Sequence, residues 1–199
     1  EYPEYYKNAQ TGKIAILGPG DTSHFNIQYK NMHSTGNCVD FGHTIGIRRH
    51  AGVGSDKTTA IFLGGYDPSA YTNDIETVIF SSKGNAAVWG DLTTARNHSG
   101  AMGNSTRCLS HDARAPSEVT VDYITWATKG NAQDFGDTSV SRSQAGSGAD
   151  ATRGYLYGGA TGPSELASID YFTIASTGNA TDFGDIGSGA QNNAQGGSS

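Results

Sequence analysis

The sequence predicts an all-β protein that is built from four copies of one structural unit. Three observations carry this prediction. The 199 residues include 28 glycines but only 5 prolines, which is typical of many short strands joined by turns. No long stretch places apolar residues at helical spacing. A ten-residue motif recurs, with Gly-Asn pairs at 36/37, 84/85, 130/131 and 178/179, so the spacings are 48, 46 and 48 residues.

The Gly-Asn pairs lie between two strand-like segments in each unit. The segment before each pair is rich in Tyr, Ile, Val, Phe and Thr, which favour β structure. These segments cover 27–34, 75–82, 121–128 and 169–176. Because Gly suits the first central position of a type II′ turn, each pair is predicted to form a two-residue hairpin. The glycines concerned are Gly36, Gly84, Gly130 and Gly178.

The segment after each Gly-Asn pair carries an aromatic residue that is followed by Gly. These aromatics are Phe41, Trp89, Phe135 and Phe183. An opening strand and an apolar strand that ends in Gly-Gly bring the full unit to four strands, and both faces of the strands carry apolar residues, as in sheets packed on both sides. Four antiparallel strands at this period predict one blade of a β-propeller.

The predicted units leave both ends of the chain to be explained. They cover about 13–47, 48–95, 96–141 and 142–189, and residues 1–12 form a segment outside the repeat. The first unit lacks a proper first strand, so residues 190–199 are a candidate to close the first blade and remove a sheet edge. Four blades of a larger ring and a half-ring that dimerises are open alternatives. Because the chain begins at Glu1, we expect a processed product or a segment of a longer polypeptide.

The repeat resembles a known family. A Gly-Gly pair follows an apolar strand at 64–65 and 158–159, a Tyr-containing strand comes next, and an Arg opens the following unit. These features are similar to kelch repeats, over residues 13 to about 194. The wording STGNATDFGD at 176–185 resembles, more particularly, kelch-like repeats of bacteriophage virion structural and tail-fibre proteins. The resemblance implies a propeller fold and a structural role. Ser110-His111 depart from it by replacing Gly-Gly.

An arginine recurs twelve residues after the first three Gly-Asn glycines. The positions are Arg48, Arg96 and Arg142, and the fourth copy has Ala190. Guanidinium groups on one face of a ring can capture a carboxylate or a sulfated sugar. The favoured interpretation is structural, with each Arg bonding carbonyls or acids at the unit junctions. The acids expected in this role are Asp91, Asp137 and Asp185.

Loops that differ between the units are the expected binding surface. Loops 67–74, 111–118 and 160–165 join equivalent strands, so they are predicted to share one rim, and such loops commonly carry contacts. The candidate binding residues are Tyr71, Asn73, His111, Asp112, Arg114 and Ser164. No catalytic residue is predicted, because Cys108 and His111 are expected to point to opposite faces of their strand and turn.

Composition argues against several classes of protein. A net charge of −6 disfavours a nucleic-acid partner. No run approaches the roughly 20 apolar residues that span a bilayer, so no membrane insertion is expected. Cys38 and Cys108 lie at different places in their repeats, which predicts no disulfide, and Cys38 is expected to be small and buried. His50 and His98 match in register without a third ligand, so neither a metal site nor a cofactor is predicted.

We therefore expect a non-enzymatic structural or adhesive module in a virion-surface, decoration or tail-fibre protein, located on a virion or outside the cell. The expected partners are other copies or other structural subunits of an assembly, with cell-surface glycan as a further candidate. Two alternatives stay open. One is a secreted carbohydrate-active propeller enzyme or lectin, whose enzyme form needs carboxylates or a metal converging at the central face. The other is an intracellular kelch adaptor.

Overall fold

The computed structural model describes residues 14–18, 25–97, 100–111, 119–187 and 189–191. Within these ranges every regular element is a strand, and every strand pair is antiparallel. These residues include no helix long and apolar enough to cross a membrane. The predicted all-β class is confirmed. The predicted N-terminal segment 1–12 and most of the tail 190–199 lie outside the described residues.

The strands form four consecutive sheets and one short ribbon. Sheet one contains β1 (Ile14–Leu17), β2 (Asn26–Asn31) and β3 (Val39–His43). Sheet two contains β4 (Gly52–Ser55), β5 (Thr59–Leu63), β6 (Asp74–Ile79) and β7 (Ala87–Asp91). Sheet three contains β8 (Gly100–Gly103), β9 (Arg107–His111), β10 (Thr120–Thr125) and β11 (Gln133–Asp137). Sheet four contains β12 (Gly146–Ala149), β13 (Arg153–Tyr157), β16 (Ser168–Thr173) and β17 (Thr181–Asp185), and the ribbon pairs β14 (Ala160–Thr161) with β15 (Ser164–Glu165).

Neighbouring strands of each sheet follow one another in the chain, apart from the ribbon inserted between β13 and β16. The four-stranded antiparallel unit is confirmed for sheets two, three and four, whereas sheet one has three strands within the described residues. None of these sheets closes on itself. The sequence of β6 explains why the units stack: Ile75, Glu76, Thr77 and Val78 are all buried, so both faces of the strand are covered.

A separate hydrophobic core fills each junction between consecutive sheets. The first core packs Ile27 and Phe41 of sheet one against Phe62 and Phe80 of sheet two. The second and third cores join the next sheets in the same way. The second contains Ile61, Trp89, Cys108 and Ile124, and the third contains Leu109, Phe135, Leu156 and Phe172. Sheets one to four are therefore packed face to face in chain order.

The Gly-Asn pairs join neighbouring sheets and do not form the predicted two-residue hairpins. Strand β2 ends at Asn31 and β3 begins at Val39, so the connection between them is too long for that turn. At the first junction the Gly84 N–H donates to the Phe41 carbonyl at 2.8 Å. The His43 N–H donates to the Asn85 side chain at 3.1 Å. The Ala86 N–H completes the set by donating to the His43 carbonyl at 2.7 Å.

The third junction repeats all three of these bonds, and the second repeats two of them. At the third, Gly178 and Ala180 donate to Phe135 and Asp137 at 2.7 Å each, and Asp137 donates to Asn179 at 3.1 Å. At the second, Asp91 donates to Asn131 at 3.1 Å, and Ala132 donates to Asp91 at 2.8 Å. We call this set the junction bonds.

The glycine after each aromatic residue allows this close approach between sheets. A Cβ at Gly42, Gly90 or Gly136 would overlap the carbonyl group of the Gly-Asn glycine in the next unit. Only glycine leaves that space open. The Gly-Asn pair of one unit therefore fits the aromatic-Gly pair of the unit before it.

Residues with an equivalent place in the repeat differ in burial where no described sheet lies next to them. Phe41, Trp89 and Phe135 are buried, whereas Phe183 is 55% exposed. The expectation that Cys38 is buried is wrong, because its side chain is exposed. Its equivalent Ala132 is buried against the preceding sheet, and no described sheet precedes sheet one.

Candidate functional site

The loops between the second and third strands of sheets two and four form the described part of the predicted rim. Tyr71 lies in the first of these loops and is 39% exposed. Its ring lies 5.5 Å from the ring of Tyr66, and the Arg49 guanidinium lies 4.4 Å from the centre of the Tyr66 ring. The backbone also links these residues, since Tyr66 bridges to both Arg49 and Tyr71. Tyr71 is thus a partly exposed aromatic side chain that its contacts with Tyr66 hold in place.

A side-chain turn fixes the tip of this loop. The Asp67 carboxylate accepts from the Ser69 N–H at 2.6 Å, the Ser69 hydroxyl at 2.7 Å and the Ala70 N–H at 2.7 Å. These bonds, with the Ser69 hydroxyl first, hold the pKa of Asp67 below its ordinary value, because they stabilise the charged form. The loop therefore has a defined shape next to Tyr71.

The other candidate binding residues have different environments. Asn73 is half-buried, and its side-chain amide donates to the Leu92 carbonyl at 3.4 Å, so it helps to hold its loop. Ser164 is exposed at the turn of the β14–β15 ribbon. The His111 side chain is fully buried at the end of β9, which differs from the exposed position expected of a rim contact. Asp112 and Arg114 lie outside the described residues.

A pocket of about 360 Å³ lies beside the Tyr71 loop. Residues 45–48, 67–69, 72, 74 and 76 line it. The lining includes one guanidinium, that of Arg48, and three carboxylates, those of Asp67, Asp74 and Glu76. Burial raises the pKa of Glu76, and the charge of Arg48 opposes this rise. Because carboxylates outnumber the single cation, the pocket disfavours anionic ligands and suits groups that donate hydrogen bonds.

The three repeated arginines are buried in ion pairs within the protein. Arg48 donates to Glu76 at 2.6 Å, Arg96 to Asp122 at 3.0 Å, and Arg142 to Asp170 at 2.9 Å. Each Arg also donates to backbone carbonyls, such as Gly64 for Arg48 and Thr120 for Arg96. These contacts agree with the structural interpretation of the arginines. Their acid partners, however, are not the expected Asp91, Asp137 and Asp185.

The acids of these pairs connect consecutive sheets. Asp122 of sheet three accepts from the N–H and hydroxyl of Thr93, which follows sheet two, at 2.9 and 2.7 Å. Asp170 of sheet four accepts in the same way from Ser139, at 3.0 and 2.7 Å. Sequence reasoning missed these acids. The signal was present, since Glu76, Asp122 and Asp170 each lie eight residues before a Gly-Asn glycine.

Gln191, and not Ala190, occupies the arginine place after sheet four. The Gly159 N–H donates to the Gln191 carbonyl at 2.8 Å, as the Gly65 N–H donates to the Arg96 carbonyl at 2.8 Å. The expected assignment of Ala190 is therefore one residue too early. One extra residue between the aromatic strand and this position causes the shift.

Within the described part of the chain, no group of three or more His, Cys, Asp or Glu side chains is placed to hold a metal ion. A comparison with protein-family models finds no match to this chain, and a comparison with curated proteins finds none either.

Proposed function

We propose that this protein is a non-enzymatic structural or adhesive module of the kelch-like β-propeller type and forms part of a virion-surface, decoration or tail-fibre protein. The observation that carries the proposal is that the charged residues recurring among the units are buried in ion pairs within the protein. Arg96 and Arg142 and their acid partners are 0 to 1% exposed, so the groups that recur from unit to unit hold the sheets together. Contacts with other molecules then fall to the exposed loops, where the units differ.

The arrangement of the sheets supports the propeller part of this proposal. Meander sheets follow one another in the chain, a separate core lies between each consecutive pair, and the same junction bonds recur. Blades of a propeller are related in this way. The similarity of STGNATDFGD to kelch-like repeats of phage virion proteins supports the virion setting.

The Tyr71 loop is the proposed contact surface, and a neutral glycan is the ligand that suits it best. The exposed Tyr71 ring offers an apolar face for a sugar ring, and its neighbour Tyr66 keeps it in place. The carboxylates of Asp67 and Asp74, which line the pocket next to this loop, can accept hydrogen bonds from sugar hydroxyls. The same carboxylates repel sulfated and sialylated sugars.

A glycan array probed with the purified chain tests this proposal. Neutral glycans are expected to bind, and Tyr71→Ala is expected to weaken binding at least tenfold, since buried aromatic contacts dominate such interfaces. Tyr71→Phe is the matched control and should bind as the wild type does, because it keeps the ring. Turnover of the bound glycan that Asp74→Asn abolishes would support the enzyme alternative instead. Binding that no rim substitution alters would also contradict the proposal.

A further inference from the structure

The outer face of sheet four, which we call the tail face, is built like a junction, but no described sheet packs on it. Phe183 is 55% exposed, whereas its equivalent Phe135 is 2% exposed because sheet four covers it. Tyr155 and Tyr171 lie beside Phe183, with ring centres 5.5 and 6.0 Å away. A Cβ at Gly184 would meet no atom within 4 Å. The surface that the next sheet covers at each internal junction is therefore exposed on sheet four.

The tail face also presents the backbone groups that make the junction bonds. At the third junction the Phe135 carbonyl and the N–H and carbonyl of Asp137 are all bonded to sheet four. On sheet four the equivalent groups are the Phe183 carbonyl and the N–H and carbonyl of Asp185. No described residue makes the junction bonds to them. The tail face thus offers two acceptors and one donor along an unpaired edge.

The opposite outer face of the stack, on sheet one, is the complement of the tail face, and we call it the head face. Leu17 and Met32 are 45% and 64% exposed there, whereas their equivalents in sheet two, Phe62 and Phe80, are 1% and 7% exposed. In sheet two this apolar face is buried against sheet one. The same face of sheet one is open.

The head face carries the donor half of the junction bonds. Gly36 and Cys38 offer the two N–H groups, and Asn37 offers the side-chain oxygen, at the places of Gly178, Ala180 and Asn179. Among the described residues none receives these bonds from the head face. The donors and the acceptor of the head face match the acceptors and the donor of the tail face in number and order.

A pair of neutral residues gives a second and independent match between the two faces. Sheets two, three and four each bury an acid that an Arg neutralises, and this Arg lies directly after the preceding sheet. Gln28 holds the acid position in sheet one, and Gln191 holds the Arg position after sheet four. A charge on either side alone would be buried without its partner when the faces meet, which is strongly unfavourable. Both charges are absent together.

We propose that the tail face of one copy binds the head face of a second copy, so that the chains join head to tail through the same contacts as the internal junctions. The two faces belong to one chain, so a second copy is the partner that carries the required complement. Within one described molecule the faces do not meet, as the exposure of Phe183 shows. This interface is heterologous, since different surfaces of the two copies are in contact. The proposal rests on the assembly part of the proposed function for its biological setting.

Native mass measured against protein concentration is the first test. The 20.7 kDa chain should associate as its concentration rises. Phe183→Ala should raise the dissociation constant at least tenfold, because a central buried aromatic is lost. Asn37→Ala should raise it about fivefold through the loss of one hydrogen bond. Val88→Ala is the matched control, since Val88 is 70% exposed on β7 away from both faces, and it should change nothing.

Mixing two defective chains tests the head-to-tail geometry. Met32→Glu disables the head face, and Phe183→Glu disables the tail face, both at exposed positions that tolerate a charge. Each variant alone should stay monomeric. A mixture should form a 1:1 dimer, because the intact tail face of the Met32→Glu chain binds the intact head face of the Phe183→Glu chain. The dimer should grow no further, because both of its free faces are disabled. A mixture that stays monomeric would overturn the proposal.

Crosslinking separates a second copy from closure within one chain. Cys38 is exposed and follows Asn37 on the head face. By the junction pattern its N–H faces the carbonyl of Asp185, so Asp185→Cys places a second thiol opposite it. Mild oxidation should give covalent dimers and larger species on a non-reducing gel, and Cys38→Ser in the same background should abolish them. A faster-moving monomer with an internal bond, or no bond at all, would contradict association with a second copy.

The outcome does not depend on glycan binding. Tyr71→Ala should leave the mass unchanged, and Phe183→Ala should leave glycan binding unchanged, so a failure of one proposal is recognised separately from a failure of the other.

Discussion

Replacing Asp122 with Ala tests whether the buried Arg–acid pairs hold the stack together. The side chains of Arg96 and Asp122 are 1% and 0% exposed, and their ion pair measures 3.0 Å. Removal of one partner from a buried pair leaves the other charge uncompensated and costs about 3–5 kcal/mol. Asp122 also accepts both bonds from Thr93, which lose their acceptor. We therefore expect Asp122→Ala to lower the free energy of unfolding by about 4 kcal/mol.

Urea unfolding followed by tryptophan fluorescence measures this loss at the right place. The chain has 2 tryptophans, and Trp89 and Trp126 contact each other at 6.1 Å in the junction to which Asp122 belongs. With an m-value of about 2.5 kcal/mol/M, the midpoint should fall by about 1.6 M urea. Gln28→Ala is the matched control, because Gln28 holds the same position in sheet one but is exposed. It should change stability by less than about 0.5 kcal/mol.

A double substitution separates the buried charge from other effects. Arg96→Met with Asp122→Val removes both charges at a similar total volume, so it should recover much of the stability that Asp122→Ala loses. Recovery should be incomplete, since the Thr93 donors stay unpaired. Equal losses for Asp122→Ala and Gln28→Ala would refute the reasoning, because burial would then have no effect on the cost.

Two further predictions concern the junctions. Gly90→Ala places a Cβ against the Gly130 carbonyl and should cost about 3 kcal/mol or more in urea unfolding, whereas Gly46→Ala, in open space, should be neutral or slightly stabilising; similar effects of the two would contradict the close approach. Burial raises the pKa of the Cys108 thiol to about 12, so a thiol reagent at pH 8 should modify only Cys38 in the native protein and both cysteines after unfolding. Rapid reaction of two thiols in the native state would show that the second junction opens.

The sequence predicted the strands well because they depend on local composition. Their content of Tyr, Ile, Val, Phe and Thr identified the segments that contain most of β6, β10 and β16, and the repeat period identified four equivalent units. The junctions were harder to predict. Gly84-Asn85 has the composition of a hairpin turn, but its partners are Phe41 and His43, more than 40 residues earlier in the chain. Local preference cannot show which distant segment a glycine will contact.

At the candidate site, too, the local pattern predicted the role of a residue but not its distant partner. The pattern indicated that Arg96 is structural, but its partner Asp122 lies 26 residues away on a different strand. The acid varies in type, as Glu76 in sheet two and Asp122 in sheet three, and this variation concealed the repeat. The burial of His111 is also a matter of tertiary packing, since its side chain fills the space beside Gly100.

The recurring motif therefore has two halves that serve different neighbours. Its Gly-Asn half donates to the sheet before it, and its aromatic-Gly half accepts from the sheet after it. A linear stack of such units satisfies every internal junction and always leaves one donor half and one acceptor half at its ends, however many units it contains. The exposure of Cys38 and of Phe183 follows from this single rule. Burial of both needs a further unit, closure of the stack or another copy, and the association of two copies proposed above uses these two ends.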